Sequence, residues 1–148
     1  MKYEHRFEVR APLSIVAAFH REAHSLALIT PPPIVVRINA APDELRQDSD
    51  VDFTMWFGPF PVRWMAGIED LHDGGFVDRQ IAGPFASWSH RHEFVSLDER
   101  RTEVVDRVDA RLRPHLLWGP VGLGMWISLP LLFAFRQWNT KRLLEGGR

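Results

Sequence analysis

From Ile34 to Leu112 the chain reads as a succession of short apolar or alternating runs, and this limits its fold more than any other feature. The runs are IVVRINA, VDFTMWF, VRWMAGIEDL, GFVDRQIA, SWSHRHEFVSL and TEVVDRVDARL. Between them lie APDELRQDSD, GPFP, HDGG, AGPF and LDERR, segments rich in the residues that favour turns. Strands following one another at such short spacing predict an antiparallel meander.

An earlier strand precedes these runs. In YEHRFEV, Tyr3, His5, Phe7 and Val9 alternate with Glu4, Arg6 and Glu8, the pattern of a half-buried strand. Pro12 suits a helix start, and PLSIVAAFHREAHSLALI reads as one helix over 12–29 with Ile15, Phe19 and Leu26 on its apolar stripe. Thr30 to Pro33 stop it, because proline removes donors and disfavours helix in the residue before it. From Gly119 to Glu145 a long apolar pattern predicts a second helix, closed by basic residues and by Gly146 and Gly147. The expected order is strand, helix, six strands, long helix. It makes an α+β domain over 1–148, with a curved seven-stranded antiparallel sheet wrapped around the C-terminal helix. Such wrapping tends to leave a space between sheet and helix.

The strand phases say what faces that space. Arg107, Asp109 and Arg111 alternate with Val104, Asp106, Val108 and Ala110, so the second set is expected inside. By the same logic Val62, Trp64, Ala66 and Ile68 point inward, as do Trp88, His90, His92 and Phe94. If Phe76 is inward, Asp78 and Gln80 accompany it. A hairpin near Pro84 sets Asp78 opposite His90, and one near Glu99–Arg100 sets His92 opposite Asp106. An apolar, aromatic interior would then hold one polar cluster of Asp78, Gln80, His90, His92 and Asp106. Burying a neutral polar group without a partner costs roughly 2–7 kcal/mol. These groups must pair with one another in a packed core, or meet water or a ligand.

Composition removes several function classes. The 18 basic and 19 acidic residues leave a net charge of -1, too little field to gather nucleic acid. With no cysteine there is no disulfide framework, thiolate nucleophile or cysteine-ligated metal. The charged, alternating N-terminus is unlike a signal peptide, and a cytoplasmic protein is expected. The uncharged segment from Leu116 to Phe135 has nearly the length of a membrane span. Its glycines and Pro130 favour a buried helix over a spanning one, with membrane contact as the lesser reading.

VRAPLSIVAAFH, LITPPP, FVDRQIAGPFASWSHRHEF and VVDRVDARLRP together resemble the SRPBCC superfamily, the START-like or Bet v 1-like helix-grip proteins. Within it the chain is similar to small bacterial members described as polyketide cyclase/dehydrase-like or ligand-binding. The block from Asp78 to Phe94 carries most of the specificity. The resemblance implies a helix-grip fold with a deep cavity. It implies no catalytic residue, since the superfamily includes carriers, receptors and cyclases alike.

Two functions follow as expectations. The first is binding of a hydrophobic or amphipathic small molecule, such as a lipid, polyketide or quinone-like compound. Its walls would be Trp56, Trp64, Trp88, Phe94, Met125, Trp126, Leu129 and Phe133, with the polar cluster reading one end. The alternative is a cyclase or dehydratase in which Asp78–His90 or Asp106–His92 does acid–base work. A two-histidine, one-carboxylate metal set is permitted by the HRH spacing, but no further local motif supports it and no cofactor is expected. His5, His20, His24, His72 and His115 are scattered and carry no site reading.

Overall fold

The computed structural model describes residues 1–145. Its strands are β1 (Lys2–Val9), β2 (Val35–Ala40), β3 (Asp50–Phe57), β4 (Phe60–His72), β5 (Gly75–Ala82), β6 (Phe85–Asp98) and β7 (Arg101–Leu112). They form one antiparallel sheet of seven strands in the order β1-β7-β6-β5-β4-β3-β2, so every strand after the first pairs with its sequence neighbour. The inward phases are those the alternation predicts: Val62, Trp64, Ala66 and Ile68 on β4, Trp88, His90, His92 and Phe94 on β6, and Val104, Asp106, Val108 and Ala110 on β7 are all buried. The register also follows the turns, with Asp78 opposite His90 and His92 opposite Asp106. One glycine helps to set it. Gly75 has φ +144°, and a Cβ there would lie 1.9 Å from the carbonyl oxygen of His92, so only glycine lets β5 come this close to β6.

Both predicted helices are broken. The first divides into α1 (Leu13–Arg21) and α2 (Ser25–Leu28). Between them Glu22 is extended and bridges to Glu44, and Leu45 N–H donates to Arg21 O at 2.7 Å, which ties the long polar turn to the helix end. The apolar stripe of α1 is also turned from the expected one. Val16 and Ala17 are buried, whereas Ile15 is 49% exposed. Leu13, Val16, Ala17 and His20 follow i, i+3, i+4, i+7 spacing, so the stripe ends on a histidine.

The C-terminal helix is α3 (Trp118–Ile127) followed by α4 (Leu129–Glu145), bent by 49° at Ser128. Pro130 has no N–H to continue the helical ladder, and beside it Ser128 Oγ donates to Met125 O at 2.7 Å. Gly146 and Gly147, read as the helix stop, lie outside the described residues. Among the described residues no single helix is long and apolar enough to cross a membrane; the bent pair would qualify by length and composition. α4 is fastened to β1 by Phe133 stacked on Tyr3 (5.4 Å) and by His5 Nε2 with Gln137 Oε1 (2.8 Å). It is tied to α2 by Asn139 Nδ2, which donates to Leu28 O. The helices therefore close over the concave face of the sheet along its rim.

Candidate functional site

The sheet and helices line a partly open cavity of about 240 Å³. Its apolar wall is aromatic: Trp64 meets Trp88 edge to face at 5.2 Å and stacks on Phe53 at 6.1 Å. Leu129 and Phe133 on α4 face this wall, and Met125 on α3 borders it. The opposite end is polar, lined by His20, Asp78, His90, His92 and Arg136. Two surface hollows, beside Arg10 and beside Arg113, gather no comparable set. In the second, Arg113 is committed to the Gly83 carbonyl and Arg63 to Asp52.

The polar end is built from neighbouring strands. His90 and His92, two residues apart on β6, stack with ring centroids 3.8 Å apart. Asp78 on β5 flanks the stack on one side and Asp106 on β7 on the other. The hydrogen bonds cross the register. His90 Nε2 donates to Asp106 at 2.8 Å and His92 Nε2 donates to Asp78 at 2.6 Å. The directly opposed contacts, expected from the turns to be the working pairs, are the looser ones: His90 Nδ1 to Asp78 at 3.6 Å and His92 Nδ1 to Asp106 at 3.5 Å. The reason is reach. Nε2 lies at the far edge of the imidazole, so it meets the carboxylate on the diagonal, which is within range for long side chains.

The charges follow from this packing. Burial pushes the Asp106 carboxyl up, but the hydrogen bond from His90 and the charges of both histidines outweigh it and hold the group down at about 2. At Asp78 burial again raises and the His92 bond leads the lowering, with a net fall. Burial and then the neighbouring His90 pull His92 down, against the carboxylates. The stacking of the two rings at 3.8 Å is what brings His90 close enough to act on His92. Beside it His20 is brought down to about 4, chiefly by burial, and its Nδ1–H donates to Val16 O at 2.8 Å.

Of the residues expected at the site, Trp64, Asp78, Trp88, His90, His92, Met125, Leu129 and Phe133 line the cavity together. Five stand elsewhere. Trp56 follows Asp52 and Thr54 on the outer face of β3 and is exposed, while its neighbour Met55 lines the cavity. Gln80 is spent on the β5–β6 turn, donating to Phe85 O and accepting from Phe85 N–H. Phe94 packs on His20 (4.8 Å) and Trp126 meets Tyr3 edge-on (6.4 Å). Asp106 does not line the cavity and stands behind His90 and His92, at 2.8 Å and 3.5 Å. The sequence reasoning missed His20, Ser25 and Arg136. Helical spacing from Leu13 points to the first, and spacing of seven from Leu129 points to the last.

Four buried side-chain polar atoms among the described residues lack a hydrogen-bond partner. Three of them, Ser25 Oγ, His92 Nδ1 and Arg136 Nε, belong to residues that line this cavity. Buried polar groups are ordinarily satisfied in native proteins, so these three are left to meet water or a ligand. Asp78, His90 and His92 also offer ligand atoms within 4.8 Å of one another, a set that could hold a metal ion. A metal would have to displace a hydrogen bond at 2.6 Å between His92 and Asp78.

No family model and no curated protein matches the sequence. Solved structures do match its shape. The Zhui aromatase/cyclase from Streptomyces sp. R1128 is 21% identical, with 99% of this chain and 98% of that one covered and a TM-score of 0.70. A START superfamily protein from Mycobacterium smegmatis is 14% identical, with coverage of 98% and 97% and a TM-score of 0.68. Norcoclaurine synthase from Thalictrum flavum, solved in complex with dopamine and hydroxybenzaldehyde, is 12% identical, with coverage of 100% and 88% and a TM-score of 0.68. At these identities the likeness is one of fold. It is the helix-grip fold that the resemblance to the SRPBCC superfamily implies.

Proposed function

We propose that this protein, acting as a single domain, binds a small, largely apolar molecule in the cavity between the sheet and α4. The observation that carries the reading is that Ser25 Oγ, His92 Nδ1 and Arg136 Nε, all buried and without a hydrogen bond, belong to residues lining one largely aromatic space of about 240 Å³. The aromatic wall supplies affinity by area, and a few polar groups at one end orient the ligand. That volume suits a ligand of one or two fused rings or a medium alkyl chain, a fraction of a full lipid. The fold neighbours support the reading at the level of precedent, since one was solved with two small aromatic compounds bound.

A second reading, acid–base catalysis of the cyclase or dehydratase kind, is favoured by one arrangement. His92 is oriented by Asp78 through Nε2, while its Nδ1, 3.5 Å from Asp106, makes no hydrogen bond. An imidazole so held can take a proton from a carbon next to a carbonyl, and the carboxylates on either side stabilise the imidazolium that forms. The same chemistry would serve enolisation or water loss.

Native mass spectrometry of freshly purified protein, set against its denatured mass, tests the proposal. An excess of a few hundred daltons that disappears on denaturation is expected, and competition by added aromatic compounds should displace it. A protein that carries no such mass and takes up no aromatic compound at millimolar concentration would overturn the reading.

A further inference from the structure

Arg136 has no role in the fold that its position explains. It follows Phe133 by three residues on α4 and lies with its guanidinium carbon 5.3 Å from the centre of the Phe133 ring. Its Nε is buried and unpartnered, and among the described residues it forms no hydrogen bond and no ion pair. Other half-buried arginines of this protein are committed: Arg107 grips Glu4 and Glu93, and Arg113 holds the Gly83 carbonyl with two nitrogens. Arg136 instead lines the cavity.

The groups that act on it are known. Burial works against its charge and is the larger effect, while Asp106 and Asp78 favour the charge from a distance. Neither carboxylate is free to move to it, because each already accepts from a histidine, at 2.8 Å and 2.6 Å. A guanidinium remains protonated at any working pH, so the cation is permanent. A planar fork without a counterion beside an apolar space is complementary to a planar anion, above all a carboxylate, which it can hold through two parallel hydrogen bonds. The nearby Asp78 and Asp106 would repel a second negative charge, which restricts the ligand to one.

We infer that the ligand is an apolar monocarboxylate, its ring or chain against Trp64, Trp88 and Phe53 and its carboxylate on the guanidinium of Arg136. This deepens the binding reading and rests on it. A matched pair of probes separates the two: 2-naphthoate and 2-naphthalenemethanol, alike in body and different in charge, titrated calorimetrically into the wild type, Arg136→Gln and Arg136→Lys. The wild type is expected to bind 2-naphthoate tighter by about tenfold or more, the range of a charge-assisted hydrogen bond. Arg136→Gln should bring the two affinities within about threefold by weakening the acid alone. Arg136→Lys, which keeps charge and loses the fork, should fall between and serves where the glutamine variant does not fold. Equal affinities in the wild type, or a preference unchanged in either variant, would overturn the inference and leave the cavity reading intact. Failure of both probes to bind the wild type would overturn the cavity reading, and the inference with it.

Discussion

His20 should make the protein acid-labile in a window where its carboxylates do not. Its value is held down to about 4 from the ordinary 6.5, chiefly by burial on the inner face of α1. Above pH 6.5 the histidine is neutral in both folded and unfolded chains and contributes nothing to pH dependence. Below it the unfolded chain takes up a proton that the folded chain refuses, so stability falls until the folded histidine is itself protonated near pH 4. At about 1.4 kcal/mol per unit of pKa, the shift amounts to a loss of about 3 kcal/mol, a large part of a small domain's stability. Asp106, lowered from 3.8 to about 2, acts in the same direction but in a separate window, losing its contribution only as pH falls below 3.8. His92, also lowered, shares the His20 window, so the comparison must be made by subtraction. His20→Leu keeps an apolar face on α1 and removes the proton site. Urea unfolding of wild type and His20→Leu at steps from pH 7.5 to 4.5 should show the variant losing about 2–3 kcal/mol less over that range, whatever its stability at the starting pH. Parallel curves would refute the argument, because they would mean that His20 titrates as an exposed histidine.

Two further perturbations follow from the geometry. Asp106→Ala leaves the Nε2–H of buried His90 without its acceptor, and should cost about 3–5 kcal/mol in urea unfolding, whereas Asp106→Asn, which keeps an acceptor oxygen, should cost visibly less. Gly75→Ala would drive a Cβ to 1.9 Å from the His92 carbonyl, so a loss above about 2 kcal/mol is expected, together with a shift of the His90 and His92 ring proton resonances as the two strands separate.

The sequence by itself determined the elements whose evidence is local and periodic. Alternation placed His90, His92 and Asp106 on the inner face, because side chains in a strand point to opposite sides in strict turn. Short turns set the register that puts Asp78 across from His90, since a hairpin admits few loop lengths. Tertiary structure decided the rest. Register opposes Cα atoms, but the reach of the imidazole selected the diagonal carboxylate, and that depends on rotamers fixed by packing. The break at Ser128 was written in Pro130, but its 49° angle was not. His20 and Arg136 look solvated when read one at a time, because a polar residue at the end of a helical stripe is buried only if another layer covers it. Whether the interior is filled or open is beyond any pattern: a cavity of about 240 Å³ is the small difference between the volume the sheet and helices enclose and the volume their side chains occupy.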